Sequence, residues 1–172
     1  MKRSFTVSKR YRLSKKEAKR LRKELETHYP HFNLDPVGSI EYAKVGRIEF
    51  FVIDGIPAFY RDPQGDLIPT LIYLIKRGYS WLPWVKVDRG ATRAVSRGAD
   101  LMVPGIVEVS TFDKGSIVAV VDAESGVAVA VGRAVMSSEE IMERLAGERR
   151  GKAIKNLHHP GDDVWEASKA LL

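Results

Sequence analysis

The sequence predicts an α+β protein of two small domains. Residues 1–83 form a small α+β unit, and residues 84–172 a mixed β-barrel with short helices. Three observations carry this. The length, 172 residues, fits one large domain or two small ones. The first half carries one amphipathic helix pattern, then a run of strand patterns broken by turns. The second half is a chain of short strands divided by Gly, Pro and Asp clusters, with only brief helical stretches, as in small closed sheets. Between the halves lies Ser80-Trp81-Leu82-Pro83-Trp84. A flexible tether would be rich in Gly and Ser, so this apolar joint predicts that the two domains pack there.

Phe5 to Leu13 is a first β-segment, with Phe5, Val7 and Tyr11 as its apolar positions. Ser14 with Glu17 three residues on is the signature of a capping box. Ala18, Leu21, Leu25 and Tyr29 follow at helical spacings and give one narrow apolar stripe. Lys15, Lys16, Lys19, Arg20, Arg22 and Lys23 cover most of the rest of that helix, and Tyr29-Pro30 ends it. Asp35-Pro36 marks a turn. Gly38 to Lys44 and Gly46 to Ile53 are two strands, and Asp54-Gly55 is a tight hairpin into a third, Ile56 to Arg61. After the turn cluster 62–66, Leu67 to Arg77 predicts a second helix, with Pro69 tolerated in its first turn and Gly78 closing it.

The second half is organised around Asp88 to Ile106. Asp88 can cap a short helix, because its carboxylate accepts from the free N–H groups of the first turn. Arg89, Arg93 and Arg97 follow at spacings of four and share one side of it. Gly98 stands where a left-handed residue would end the helix. Leu101 to Val103 is a short strand, Pro104-Gly105 a turn, and Ile106 opens the next strand. Ser116 to Val121 and Val127 to Val131 form a hairpin across residues 122–126, with a bend or bulge at Gly132 and extended chain to Met136. Ser137-Ser138-Glu139-Glu140 caps a helix through Leu145. Ala153 to His158 is the last long strand, and Pro160-Gly161-Asp162-Asp163 a turn before Trp165.

Composition narrows the function. The apolar fraction of 44% and charged fraction of 29% are those of a globular chain. No apolar run reaches the length of a membrane span. Met1-Lys2-Arg3-Ser4 lacks the apolar core of a secretory signal, so the cytoplasm is the expected compartment and no membrane partner is expected. Without cysteine there is no disulfide, thiolate metal site or cysteine nucleophile. The net charge of +6 is uneven: residues 1–83 hold 16 basic against 9 acidic side chains, and residues 84–172 hold 12 against 13. The first 23 residues alone hold 11 basic side chains and one acidic. Such a region suits a polyanion, RNA or DNA before an acidic membrane; a merely solvated face is the alternative.

Asp88-Arg89-Gly90-Ala91, followed by Gly98-Ala99-Asp100-Leu101-Met102-Val103-Pro104-Gly105, resembles the signature of the PUA domain, an RNA-binding module. The second segment is the more specific. Phe59-Tyr60-Arg61, Pro69-Thr70-Leu71, Leu82-Pro83 and the late segments 151–154, 156–158 and 163–165 extend the resemblance. They are similar to the malignant T-cell amplified sequence type of translation factors and their archaeal relatives; ligatin-type reinitiation factors carry a similar unit. The resemblance covers nearly the whole chain, most weakly residues 1–36, and the very basic first helix departs from it. It implies a pre-PUA domain ahead of a PUA barrel.

The resemblance also places an RNA groove beside the Asp88 helix and the glycine turn after it. That implicates Gly90, Ala91, Gly98, Ala99 and Met102, positions equally suited to packing and turns. Arg89, Arg93 and Arg97 can pair with phosphates, aided by the partial positive charge of the helix N-terminus. Strand alternation puts Lys152, Ile154, Asn156 and His158 on one face, with Lys155 and His159 on the other. Lys152 and His158 are the expected RNA contacts. Lys15, Lys16, Lys19, Arg20, Arg22 and Lys23 form a secondary basic surface. His158-His159 lacks a third ligand at a suitable spacing, so no metal is expected, and no cofactor either. Trp81 and Trp84 can stack on bases but are expected in the interdomain core. No nucleophile elbow or phosphate-binding loop is present. The expectation is a non-enzyme that binds tRNA ends or structured RNA in translation initiation, recycling or RNA modification. An adaptor that docks the ribosome or a translation factor, with secondary RNA binding, is the alternative.

Overall fold

The computed structural model describes residues 5–35 and 38–172. Met1-Lys2-Arg3-Ser4, and the Pro36 end of the expected turn at Asp35-Pro36, lie outside them. The chain divides into two compact units. One comprises the described residues up to Lys76 together with Asp163–Leu172; the other is Arg77–Asp162. The sequence places the divide at 83/84 and the C-terminus with the second domain. The tail joins the first unit because it is tethered there: Arg10 Nη1 donates to the Leu171 carbonyl at 2.9 Å, and Ala167 and Leu171 are buried.

The first unit is a five-stranded antiparallel sheet whose spatial order is its chain order: β1 (Val7–Arg12), β2 (Ile40–Val45), β3 (Ile48–Ile53), β4 (Ile56–Arg61) and β5 (Leu67–Pro69). Helix α1 (Lys15–His28) opens with the capping box: Glu17 N donates to Ser14 Oγ at 3.1 Å, and Ser14 N to Glu17 Oε1 at 3.0 Å. Leu21 and Leu25 are its buried stripe. The β3–β4 hairpin turns through Asp54 and Gly55, both at positive φ, as such a tight turn requires.

The helix expected over 67–77 is a correction. Leu67–Pro69 is a strand paired with β4, and α2 covers only Leu71–Arg77. Pro69 is as acceptable on the outermost strand of a sheet as in a first helical turn. Thr70 decides the boundary: its hydroxyl accepts from Tyr73 N at 3.1 Å and donates to the Pro57 carbonyl. The turn expected before Trp165 is also incomplete, since α5 (Asp163–Lys169) follows it.

The second unit contains β6 (Trp84–Val87), α3 (Arg89–Ser96), β7 (Leu101–Met102), β8 (Ile106–Val109), β9 (Ile117–Asp122), β10 (Ala128–Ala134), α4 (Ser138–Ala146) and β11 (Lys152–His158). Its sheet runs β7-β11-β10-β9-β6-β8, antiparallel except for the parallel pair β6–β9. The outermost strands β7 and β8 are joined by a single 3-10 turn, Val103–Gly105. The sheet therefore curls on itself, closing around Val85, Val118, Val120, Leu101 and Ile154, with Val95 of α3 and Ile141 of α4 on the core. The bend expected at Gly132 is an irregularity in the β10–β11 register. A Cβ there would meet Ile154 Cγ2 at 2.4 Å, so the two strands cross at glycine distance.

Candidate nucleic-acid interface

Both ends of α3 are fixed by the residues that the sequence singles out. At its start, Asp88 Oδ1 accepts from Ala91 N at 2.8 Å, and Asp88 N donates to the Gly105 carbonyl at 3.0 Å. Ala91 packs inward: a Cβ on Gly105 would stand 2.4 Å from its methyl group. Ala91 is therefore a packing residue, and only a small side chain fits there. At its end, Gly98 turns the chain at φ +103°, with Gly98 N donating to Val95 O and Ala99 N to Ala94 O. A Cβ at Gly98 would meet His159 Nε2 at 2.8 Å. His159 Nδ1 lies 2.9 Å from the Pro160 carbonyl.

Strand β11 is stapled to the turn after α3 by two side chains. Asp100 Oδ1 accepts from Asn156 N at 2.8 Å, and Asp100 Oδ2 pairs with Lys152 Nζ at 2.9 Å. Asn156 Nδ2 donates to the Val95 and Ala99 carbonyls, both at 2.9 Å. The backbone hydrogen bond from Asn156 holds the Asp100 carboxyl below the ordinary aspartate range, and Lys152 adds to this. Gly98, Ala99, Met102, Lys152 and His159 thus meet along one side of the barrel, next to the C-terminal end of α3.

Two expectations for β11 are corrected here. The pairing slips between Lys152↔Met102 and Ile154↔Leu101. Across this irregularity Lys152 and Lys155 are both exposed, while Ala153 and Ile154 are both buried, so simple alternation does not sort the faces. His158 is 0% exposed, and its Nδ1 stands 3.0 Å from Asp162 Oδ2. It is a core residue that fixes the turn after β11 and presents nothing to a ligand. Lys155 and His159, set aside by the alternation rule, stand at the surface that His158 was expected to serve.

The arginines of α3 are all exposed but differ in freedom. Arg89 pairs with Glu124 at 3.2 Å. Among the described residues, Arg93 and Arg97 have no ion-pair partner. The Asp88 carboxylate caps the first turn of α3 by accepting from Ala91 N, and the arginines without an ion-pair partner belong to the other end. There they face the negative pole of the helix, which favours them. Gly90 is exposed and Met102 is 47% exposed. On α1, Lys15, Lys16, Lys19, Arg20, Arg22 and Lys23 are all exposed. Arg22 pairs with Asp35 at 2.8 Å; the others have no ion-pair partner among the described residues.

Residues 83–160 match the PUA domain family, and residues 9–77 match a family described as a domain of unknown function, DUF1947. An uncharacterized protein of Methanocaldococcus jannaschii is 39% identical over 92% of this chain and 96% of its own length. Translation machinery-associated protein 20 of Saccharomyces cerevisiae is 32% identical over 71% of this chain and 68% of its own. The chain belongs to the PUA-domain family of translation machinery-associated protein 20. Malignant T-cell-amplified sequence 1 of Rattus norvegicus, 33% identical over 69% of this chain and 65% of its own, is a further relative, and the resemblance read from the sequence is borne out. A PUA-domain crystal structure from Aeropyrum pernix K1, a tartrate complex, superimposes with a TM-score of 0.87 at 31% identity over 96% of this chain and 93% of that one. The α+β unit followed by a PUA barrel is likewise borne out. Within the PUA domain, the Gly-Ala-Asp segment is legible as architecture: Gly98 supplies the turn, Ala99 the acceptor for Asn156, and Asp100 the staple to β11.

Among the described residues, no group of three His, Asp or Glu side chains is placed to hold a metal. No described helix is long and apolar enough to cross a membrane.

Proposed function

We propose that this protein binds RNA along the side of its PUA barrel where the end of α3 meets β11, and that it does so in translation. The supporting observation is the juxtaposition of Arg93 and Arg97, which have no ion-pair partner among the described residues, with the small Gly98-Ala99 turn, exposed at Ala99, and with Lys152 and Lys155 near Asp100. A backbone phosphate can approach over the small, exposed Ala99, while the four cations offer charge-assisted hydrogen bonds. The RNA is the acceptor end of a tRNA or a similar end of a structured RNA, since cations beside small residues suit a single-stranded end next to a stem. Relatives named for the translation machinery support the translation role, and our reading is that the RNA is met on the ribosome or with a translation factor, in the cytoplasm. We assign the protein no catalytic step. Filter binding of tRNA, with and without its single-stranded 3′ end, is the test. Loss of binding on Arg93→Ala/Lys152→Ala substitution is the expected result; full-strength binding by that folded double variant removes the groove from consideration.

A second reading, an adaptor for a protein partner, is favoured by one observation. Val107 of β8 and Met142 of α4 are 59% and 60% exposed, and these two elements pack together. A tight, salt-insensitive complex lost on Met142→Asp substitution supports it.

A further inference from the structure

The five-stranded sheet of the first unit carries a row of rings. The register aligns Tyr11 with Tyr42, Tyr42 with Phe51, and Phe51 with Phe59, so four neighbouring strands contribute one aromatic each to the same face. Helix α1 covers one end of this row. Arg61, which lies over the Phe51 ring at 5.5 Å, is clamped by Glu24 at 2.8 Å, and Tyr29 meets Phe59 with centroids 5.5 Å apart. Cover then fades towards β1: Phe59 is 0% exposed, Phe51 9% and Tyr11 44%. Tyr11 and Tyr42 form an open pair, centroids 5.2 Å apart and tilted by 33°.

The surroundings of that pair are cationic. Lys9 and Lys44 stand opposite one another in the β1–β2 register, two residues along each strand from the tyrosines and hence on the same face. Like charges directly opposed on a sheet repel; Glu49 stands opposite Lys44 on its other side, yet neither lysine has an ion-pair partner among the described residues. Arg20 lies one turn beyond Glu17 on α1 and draws that carboxylate's titration down, behind the larger effect of the Ser14 hydrogen bonds. Two carboxylates face the patch, Glu17 and Glu49, and each accepts a tyrosine hydroxyl, at 3.3 Å from Tyr11 and 2.7 Å from Tyr42. They therefore stand at the hydroxyl ends of the rings. A half-open aromatic pair beside Lys9, Lys44 and Arg20 suits a polyanion with bases to stack.

We propose that the open end of this sheet, Tyr11 and Tyr42 with Lys9, Lys44 and Arg20 around them, binds single-stranded RNA by stacking bases on the tyrosines. The site lies in the other unit from the α3–β11 groove and does not depend on it. Its ligand is an unpaired strand, because a duplex offers no free base face.

The test uses the full chain, a short labelled oligouridylate and a blunt RNA duplex of the same length, with Tyr11→Ala, Tyr11→Phe and Arg93→Ala/Lys152→Ala variants. Tyr11→Ala is expected to weaken oligouridylate binding about tenfold, the scale of one stacked base, and to leave duplex binding unchanged. Tyr11→Phe is expected to restore it, and an unchanged melting temperature identifies the loss as local. Ultraviolet crosslinking of a 4-thiouridine oligomer is expected to label the peptide containing Tyr11. Equal affinity of wild type and Tyr11→Ala, or crosslinks confined to residues 77–162, overturns the proposal while leaving the groove intact. Loss of tRNA binding in Arg93→Ala/Lys152→Ala with oligouridylate binding retained separates the two sites. A Tyr11→Ala loss matched in the duplex shows a general charge effect and also overturns it.

Discussion

The two basic regions of this protein are made from the same residue types and held in opposite ways. Beside α3, one cation is placed by structure, while Arg93 and Arg97 stay without an ion-pair partner among the described residues: Lys152 is drawn to Asp100, Asp100 to Asn156, and Asn156 to the Val95 carbonyl of the helix. On α1, Lys15, Lys16, Lys19 and Lys23 project from a solvated helix face with no partner among the described residues. The first arrangement spends little further rotamer freedom on meeting a ligand; the second must order long side chains at binding. Position-specific contacts are thus expected from the α3–β11 side, and salt-sensitive, sequence-indifferent attraction from α1.

The largest effect expected is at the hinge of the preorganised side. Gly98→Val places a β-branched residue at φ +103°, with its Cβ 2.8 Å from His159 Nε2. A cost of at least ~2 kcal/mol follows from the backbone alone, a fall in melting temperature of roughly 4–8 °C for a chain of this size. tRNA binding should be lost with it. A variant that melts like wild type would show that His159 swings away and that the turn is not held in place. His158→Ala comes next. Removing a buried imidazole and stranding Asp162 should cost about 1–3 kcal/mol, read by denaturant unfolding, with the affinity of the folded fraction unchanged. Weakened RNA binding at full stability would return His158 to the surface.

How much of this contrast could be read beforehand depends on the range of the interactions. The capping box at Ser14, the Asp54-Gly55 hairpin, the Asp88 cap and the Gly98 stop are each decided within four residues, and the sequence displays them. Leu67–Pro69 is decided by pairing with β4, the placing of the tail that holds α5 by the Leu171 carbonyl meeting Arg10, 161 residues away, and the β11 faces by a register slip against β7. None of these has a local signal. In the site, the exposure of Arg93 and Arg97 follows from helical spacing. The capture of Arg89 by Glu124, 35 residues away, and the burial of His158 do not.

Moderate effects on affinity alone should separate the regions further. Arg93→Ala and Lys152→Ala should each weaken tRNA binding by about 1–2 kcal/mol with the melting temperature nearly unchanged. Arg89→Ala should cost less, since Glu124 already holds that guanidinium. An Arg89 loss equal to that of Arg93 would mean that the ion pair opens on binding. On the solvated side, replacing Lys15, Lys16 and Lys19 by Gln should flatten the salt dependence of RNA binding by up to ~3 units, close to one per phosphate contact, without altering which RNA is preferred. A slope that stays the same would assign this face to solubility.

The smallest effect tests the staple itself. In the folded protein the Asp100 carboxyl titrates below its ordinary value, first because Asn156 N donates to it and then because Lys152 is close. A depressed carboxylate adds stability above its unfolded pKa, and that stability is lost as pH falls through the folded pKa. The wild type should therefore lose a small increment of stability in the acid range, beginning near the ordinary aspartate pKa of about 4 and continuing below it. Asp100→Asn keeps an acceptor for Asn156 N but has no charge to titrate. Its unfolding free energy should be lower than that of the wild type at neutral pH, and the difference should shrink as the pH drops below that value. Lys152, released from its partner, should then bind RNA with unchanged charge but poorer placement. Parallel stability curves at all pH values would mean that the carboxylate contributes nothing beyond its shape, and the contrast between a placed and an unplaced lysine would have to rest on Asn156 alone.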